Sequence, residues 1–214
     1  MKTLAQVFSA IQMGITNNKP SDDSEVPMEF IQAKADEVRA TLIAQYLSVN
    51  GVVPSNCIRI HDDVPIDYTE VGGENRYYFT LPVSVLLLPR DKGIFEVWNN
   101  ARTEPWYPFT SGEYRIMRNI RFSRPSATYP CYQRQGLDKV ELYFGNKDVT
   151  DYVFSLGLVH LTTDAYADTD EYPIPHELEK TLIDTTIAVI LQSMQQGRMD
   201  NANDSSDVRT VANP

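Results

Sequence analysis

Pro175-His-Glu-Leu-Glu-Lys-Thr-Leu-Ile-Asp-Thr-Thr-Ile-Ala-Val-Ile-Leu-Gln-Ser-Met194 decides how this chain is read. Pro175 suits a first helical turn, where its missing N–H has no partner to lose, and Glu177 and Glu179 favour the positive end of the helix dipole. On a wheel of 100° per residue, Leu178, Leu182, Ile183, Ile187, Val189, Ile190, Leu191 and Met194 spread over about 220°, twice the ~100° stripe that docking on one core requires. A helix apolar on so many sides is either sunk in a large core or shared with a neighbour, and 214 residues give no automatic large core. The expectation is that Leu182, Ile187, Ile190 and Leu191 serve an interface between subunits.

Working outward, Leu4, Val7, Phe8 and Ile11 have helical spacing and are followed by a polar linker. A second long helix starts after Pro27, carries Ile31, Ala35, Val38, Leu42, Tyr46 and Val49 at three- and four-residue steps, and ends at Asn50-Gly51. From Asn56 the period becomes two: Ile58 and Ile60 alternate with polar residues, and Tyr77 to Leu87 is the longest strand candidate, with Pro82 demoting part of it to an edge or bulge. Pro89 and Gly93 predict a hairpin over 86–98, and a second hairpin is expected to pair Val140–Phe144 with Val153–Leu161. The stretch from Asn99 to Gln135 reads as mostly irregular.

The order helix, strands, helix predicts an α+β fold: an antiparallel β-sheet or small sandwich flanked by two long packed α-helices, with extended terminal arms. Residues 1–196 form a single domain in this reading, with 1–26 an N-terminal helical arm and 197–214 a polar C-terminal tail.

A formal net charge of −10 argues against a surface that grips nucleic acid phosphates or anionic membrane, because long-range repulsion opposes the encounter. No apolar run approaches the ~20 residues that span a bilayer, and the first residues turn polar too soon for a secretory signal. Cys57 and Cys131 have no metal-binding spacing and read as reduced and partly buried.

His61-Asp62-Asp63 is the best candidate for a reactive cluster, since an imidazole beside two carboxylates can hold a metal or act as a base; the plainer reading is a polar strand phase followed by a turn. Asp164, Asp168 and Asp170 evoke a calcium loop, but the central glycine is absent. Phosphate-cradling, nucleophile-elbow and zinc-helix motifs are missing, so the expectation is no enzyme, no catalytic residue, no metal and no cofactor. Arg115, Arg118, Arg121 and Arg124 sit among aromatic residues in the one basic region. Arginine among aromatics can stack on single-stranded nucleic acid, but it is also what protein interfaces favour, and the acidic chain argues for the interface. That region could face the acidic stretch containing Asp168, Asp170 and Glu171 on the next copy, a head-to-tail contact that closes into a ring if the rotation closes.

Leu88-Pro-Arg-Asp-Lys-Gly-Ile-Phe-Glu-Val97, the hairpin after it, and Asp170-Glu-Tyr-Pro-Ile-Pro-His-Glu-Leu-Glu179 opening a late helix resemble the head-to-tail connector proteins of short-tailed bacteriophages, most of all ring proteins of crAss-like phages. The resemblance runs from Pro27 to Met194 in the order of elements. It implies a structural virion protein of the neck or tail, assembled in the host cytoplasm. Twelve copies would close into a ring joining portal to tail, with DNA passing the lumen without sequence-specific binding and no membrane involved. Its partners would be itself, the portal, and neighbouring neck and tail proteins. If the net negative charge serves a lumen along which DNA slides, acidic side chains such as those of Asp168, Asp170 and Glu171 or of the long helices should line the channel. The alternatives are a non-viral adaptor or assembly chaperone, monomeric or dimeric, and a metal-dependent hydrolase in which His61, Asp62 and Asp63 converge with another acidic group.

Overall fold

Thr3 starts the first helix, α1 (Leu4–Ile15), with a capping box: its hydroxyl accepts from the Gln6 N–H while the Gln6 side chain accepts from the Thr3 N–H. Leu4, Val7, Phe8 and Ile11 line one face and all are buried. The second helix, α2 (Met28–Asn50), stops where Gly51 takes a φ of 74°, a conformation costly for any residue with a side chain. A short 3-10 turn over His176–Leu178 leads into α3 (Glu179–Asp207). The computed structural model describes residues 2–16, 26–71, 74–99, 101–109, 113, 120, 125–126, 128–145 and 153–207.

The chain divides into two compact units, Met1–Gln45 with Thr163–Pro214, and Tyr46–Thr162. In the first, α1, the early turns of α2 and α3 bury their apolar faces on one another, joined by Tyr172 and Ile174. Gly14 lets α1 and α3 come close, because a Cβ there would overlap the Ile187 side chain. The Phe8 and Tyr172 rings meet edge to face at 5.9 Å. Each fully buried Leu or Ile in this set contributes roughly 1.5–3 kcal/mol relative to exposure.

The second unit is one eight-stranded sheet in the order β1 (Arg59–Pro65), β8 (Val153–Leu158), β4 (Ile94–Asn99), β5 (Pro105–Pro108), β6 (Cys131–Gln135), β7 (Lys139–Tyr143), β3 (Glu74–Thr80), β2 (Asp67–Val71). Two antiparallel four-stranded halves are joined by the parallel β5–β6 pair. The sheet curls into a half-barrel: Phe79 of β3 and Phe154 of β8, far apart in the strand order, lie 5.3 Å apart. Trp106 of β5 meets Phe154 at 5.0 Å and Phe144 at 5.8 Å.

Several expectations are corrected here. The fold is α+β, but it is a curled mixed sheet with three described helices, not an antiparallel sheet or sandwich flanked by two long helices. The reason is that β5–β6 pairing keeps both halves in one sheet, which closes over its own apolar face, while the helices cover one another. The N-terminal helix is not an extended arm, since its apolar face is part of the helical core. Strand β3 ends at Thr80: beyond it Pro82 lacks a ladder donor, and Val85 makes only an isolated bridge to His160. The hairpin over 86–98 does not form either. Pro89–Asp91 is a 3-10 turn, and β4 pairs with β8 and β5 instead. Nor do Val140–Phe144 and Val153–Leu161 pair: β7 takes β6 and β3 as partners, β8 takes β1 and β4. The stretch read as irregular supplies β5 and β6.

Candidate functional site: a histidine pair and a serine–aspartate–arginine cluster

Both polar clusters of the sheet unit are built by the alternation of β1. Arg59 lies opposite Leu158 and His61 opposite Leu156, so these side chains share the core-facing side of the sheet, whereas Ile60 and Asp62 face away. Asp63, with a φ of 59°, is the extra residue of a bulge between His61 and Val64, which returns Val64 to the core. His61 and Asp62 are neighbours in the chain on opposite faces of the sheet. The His61-Asp62-Asp63 triple therefore does not converge, which removes the arrangement a hydrolase reading required.

His61 instead meets His160, Nε2 to Nε2 at 2.7 Å, with ring centroids 5.0 Å apart and planes 26° from parallel. His160 is 2% exposed and is held by its bridge to Val85, with Leu161 N donating to Ser84 O beside it. One Nε2 must carry the hydrogen and the other the lone pair, so the neutral rings are opposite tautomers. The pair can add one proton and keep its contact. Adding two sets N–H against N–H. Burial, helped by the Arg59 charge and opposed by Asp62, pushes the His61 pKa down.

On the other face, the Ser155 hydroxyl donates to Asp62 Oδ1 at 2.6 Å and accepts from Arg102 Nε at 3.1 Å, while Arg102 Nη2 reaches Asp62 Oδ1 at 3.3 Å. Ser155 is 2% exposed in β8, which is flanked by β1 and β4. The hydrogen bond from Ser155 and then the one from Arg102 hold the Asp62 carboxyl below its usual range. Arg102 is presented by a turn in which the Asn99 side chain accepts from the Thr103 and Glu104 N–H groups at 2.8 and 3.1 Å. The histidines occupy the opposite face, so the serine has no imidazole base from them. The cluster ties the 99–104 turn to the sheet.

In the helical unit, Asp36 Oδ2 accepts from Thr163 N and Oγ1 at 2.9 and 3.2 Å, and its Oδ1 lies 3.4 Å from Nε of the fully buried Arg39. Burial raises the Asp36 pKa against the pull of Arg39. No sequence signal singles out this pair within α2, where both residues read as ordinary helix surface.

Arg115, Arg118, Arg121 and Arg124 lie outside the described residues. Asp168, Asp170 and Glu171 sit on the segment that meets the start of α1: Leu4 N donates to Asp170 O at 3.0 Å and Ala5 N to Asp168 O at 3.2 Å, and Thr3 bridges Glu171. The Asp170 carboxylate accepts from Ala167 N, while the Asp168 and Glu171 side chains are exposed. Leu182 and Ile190 are fully buried in the helical core and Ile187 is half-buried against Gly14. The broad apolar perimeter of α3 is thus met mainly within its own unit. Of the four α3 residues assigned to an interface, Leu191 alone is exposed, at 38%.

Among the described residues no three His, Cys, Asp or Glu side chains converge on a metal position, and no helix is long and apolar enough to cross a membrane. Cys57 and Cys131 are buried free thiols, and burial pushes the Cys131 pKa up to about 11. No protein-family model matches the chain, and no curated protein matches it in sequence.

Proposed function

We propose that this chain is a structural subunit of a bacteriophage neck, twelve copies of which form a ring that joins portal to tail and lets DNA pass. The observation that carries the reading is a set of exposed apolar side chains on two segments of the sheet unit that a hydrogen bond joins. Lys92 Nζ donates to Gly51 O at 2.6 Å, and on the two segments so joined Val49, Val52, Leu87 and Phe95 are all exposed, Val49 at 82% and Leu87 at 64%. Scattered apolar side chains need no explanation, but several on segments so joined mark a surface that another protein covers. The resemblance of 88–97 and 170–179 to connector proteins supports a subunit of the same kind as that partner. A net charge of −10 supports a lumen along which DNA slides without adhering.

Native mass measurement of the purified chain, alone and with its portal, tests this. Closed rings of about twelve copies are expected, and Val52→Glu with Leu87→Glu should leave a folded chain that no longer assembles. A chain that stays monomeric or dimeric at every concentration, with the portal present, overturns the reading in favour of an adaptor or chaperone.

A further inference from the structure

The outer side of strands β6, β7 and β3 is built from polar and tyrosine side chains. Tyr132, Val140, Leu142 and Phe79 point into the aromatic core, so alternation puts Gln133, Gln135, Glu141, Arg76 and Tyr78 on the opposite face. On β5, Trp106 lies in the core and Tyr107 beside it faces out. No Leu, Ile, Val, Met or Phe stands on the outer phase of β6, β7 or β3. An interface with another protein is centred on apolar side chains, and these three strands offer none there.

A carboxylate organises the polar groups. Glu141 Oε2 accepts from the Tyr143 hydroxyl at 2.9 Å and from Gln135 Nε2 at 3.0 Å, while its Oε1 lies 3.9 Å from Arg76 Nη1, outside hydrogen-bond reach. That oxygen, the Arg76 guanidinium and the amide of Gln133, directly across the strand pair from Glu141, keep capacity for a ligand. Tyr107, 47% exposed, and Tyr129, 63% exposed, border the cluster with ring centroids 6.5 Å apart and planes tilted by 44°. The register Tyr107↔Cys131↔Tyr143 sets this pair in line with the tyrosine that holds Glu141. Tyr78 is already covered by Lys139 Nζ, 3.4 Å from its ring centroid, so the exposed aromatic surface of this face is the Tyr107–Tyr129 pair.

Charge narrows what fits. Around Tyr78 and Glu141 the two carboxylates, Glu141 and Asp67, offset the two cations, Arg76 and Lys139. A locally neutral surface on a chain of net charge −10 draws in neither a polyanion nor a polycation by its own field. Bases of a single strand also stack on tyrosine, but they need a positive groove for their phosphates. A neutral ligand dense in hydroxyls matches both halves of the face: its hydroxyls pair with carboxylate, amide and guanidinium groups, and its C–H faces lie on the rings. We infer that this face binds a neutral oligosaccharide, Tyr107 and Tyr129 stacking on the sugar rings and Glu141, Gln133 and Arg76 bonding their hydroxyls. The inference does not depend on the ring reading above.

The test titrates the full chain with cellohexaose, maltohexaose, laminarihexaose and mannohexaose by calorimetry. Expected is saturable binding of at least one of them with Kd at or below about 1 mM, equal at low and high salt because the ligand carries no charge. Tyr107→Ala should weaken it about tenfold and Glu141→Gln severalfold; if Tyr107→Ala does not fold, Tyr129→Ala, at the more exposed ring, should give a similar loss. Failure of all these sugars to bind, or binding left unaltered in folded Tyr107→Ala or Tyr129→Ala, overturns the inference. So does a single-stranded oligonucleotide that binds in their place and is released by salt. Rings that form from a chain with no affinity for these sugars overturn this inference alone, and sugar binding by a chain that never assembles overturns the ring alone.

Discussion

His61 and His160, ninety-nine positions apart, share one hydrogen between their Nε2 atoms across 2.7 Å. The contact joins edge strand β1 to the segment that follows β8, and it tolerates one added proton but not two.

Acid should therefore weaken the sheet unit through this pair. Burial and Arg59 hold the His61 imidazole below its ordinary pKa, so the folded chain binds fewer protons there than the unfolded one. The contribution of His61 is complete above about pH 6.5 and is lost as pH falls below that value. Urea midpoints measured from pH 7.5 to 5 should drop more steeply in the wild type than in His61→Gln. An unchanged acid slope in the variant would remove the pair as the cause.

Replacing the buried partner is expected to cost more at neutral pH. His160→Ala removes a 2% exposed ring and strands the His61 nitrogen, a loss of about 2–3 kcal/mol by chemical denaturation.

On the outer face, Ser155→Ala should cost about 1 kcal/mol, since it deletes the hydroxyl that donates to Asp62 and accepts from Arg102. The same change should raise the Asp62 pKa, because the Ser155 hydrogen bond is the largest influence lowering it. Carboxyl NMR titration of wild type and variant checks this, and an unmoved Asp62 would contradict it.

Two glycines should respond differently to the same methyl group. At Gly93 a Cβ would run into the carbonyl oxygen of Leu86, which cannot move without its strap to Val159, so Gly93→Ala should destabilise by about 2 kcal/mol or more. At Gly14 the obstacle is the end of the Ile187 side chain, which can rotate, and alanine gains up to about 1 kcal/mol of helix propensity. Gly14→Ala should be close to neutral, as thermal unfolding of the pair would reveal.

Asp36→Ala would leave the Arg39 guanidinium buried without its carboxylate. A loss of about 3 kcal/mol or more is expected, larger than for any exposed ion pair of this chain, and Asp36→Ala with Arg39→Met should recover much of it.

Much of the helical part was legible residue by residue. The spacing of Leu4, Val7, Phe8 and Ile11, the Pro27 and Gly51 boundaries of α2, and the Pro175 entry to α3 all depend on interactions within a few positions. The amphipathic breadth of α3 was legible too, but its cause was not. The wheel cannot tell whether Leu182 and Ile190 meet a second subunit or α1 and α2 of the same unit, and here they meet the latter.

For the sheet, the alternation around Ile60, Tyr77 and Val140 marked strands correctly while the partners were misassigned. Strand pairing is set by backbone bonds between distant segments, and the parallel β5–β6 step carries no local turn signal that a hairpin would show. The histidine pair was invisible for the same reason, since nothing near His61 in the chain points to His160.

Taken alone, the amino-acid order determined where the helices begin, the strand-forming phases and the acidic balance, because each is written within one or two turns of chain or in composition. Tertiary structure alone decided which strands pair, that the apolar perimeter of α3 is met mainly within its own unit, and that His61 meets His160 rather than Asp62. These follow from long-range burial, where the sheet closing over Phe79, Trp106 and Phe154 selects partners that no local pattern encodes.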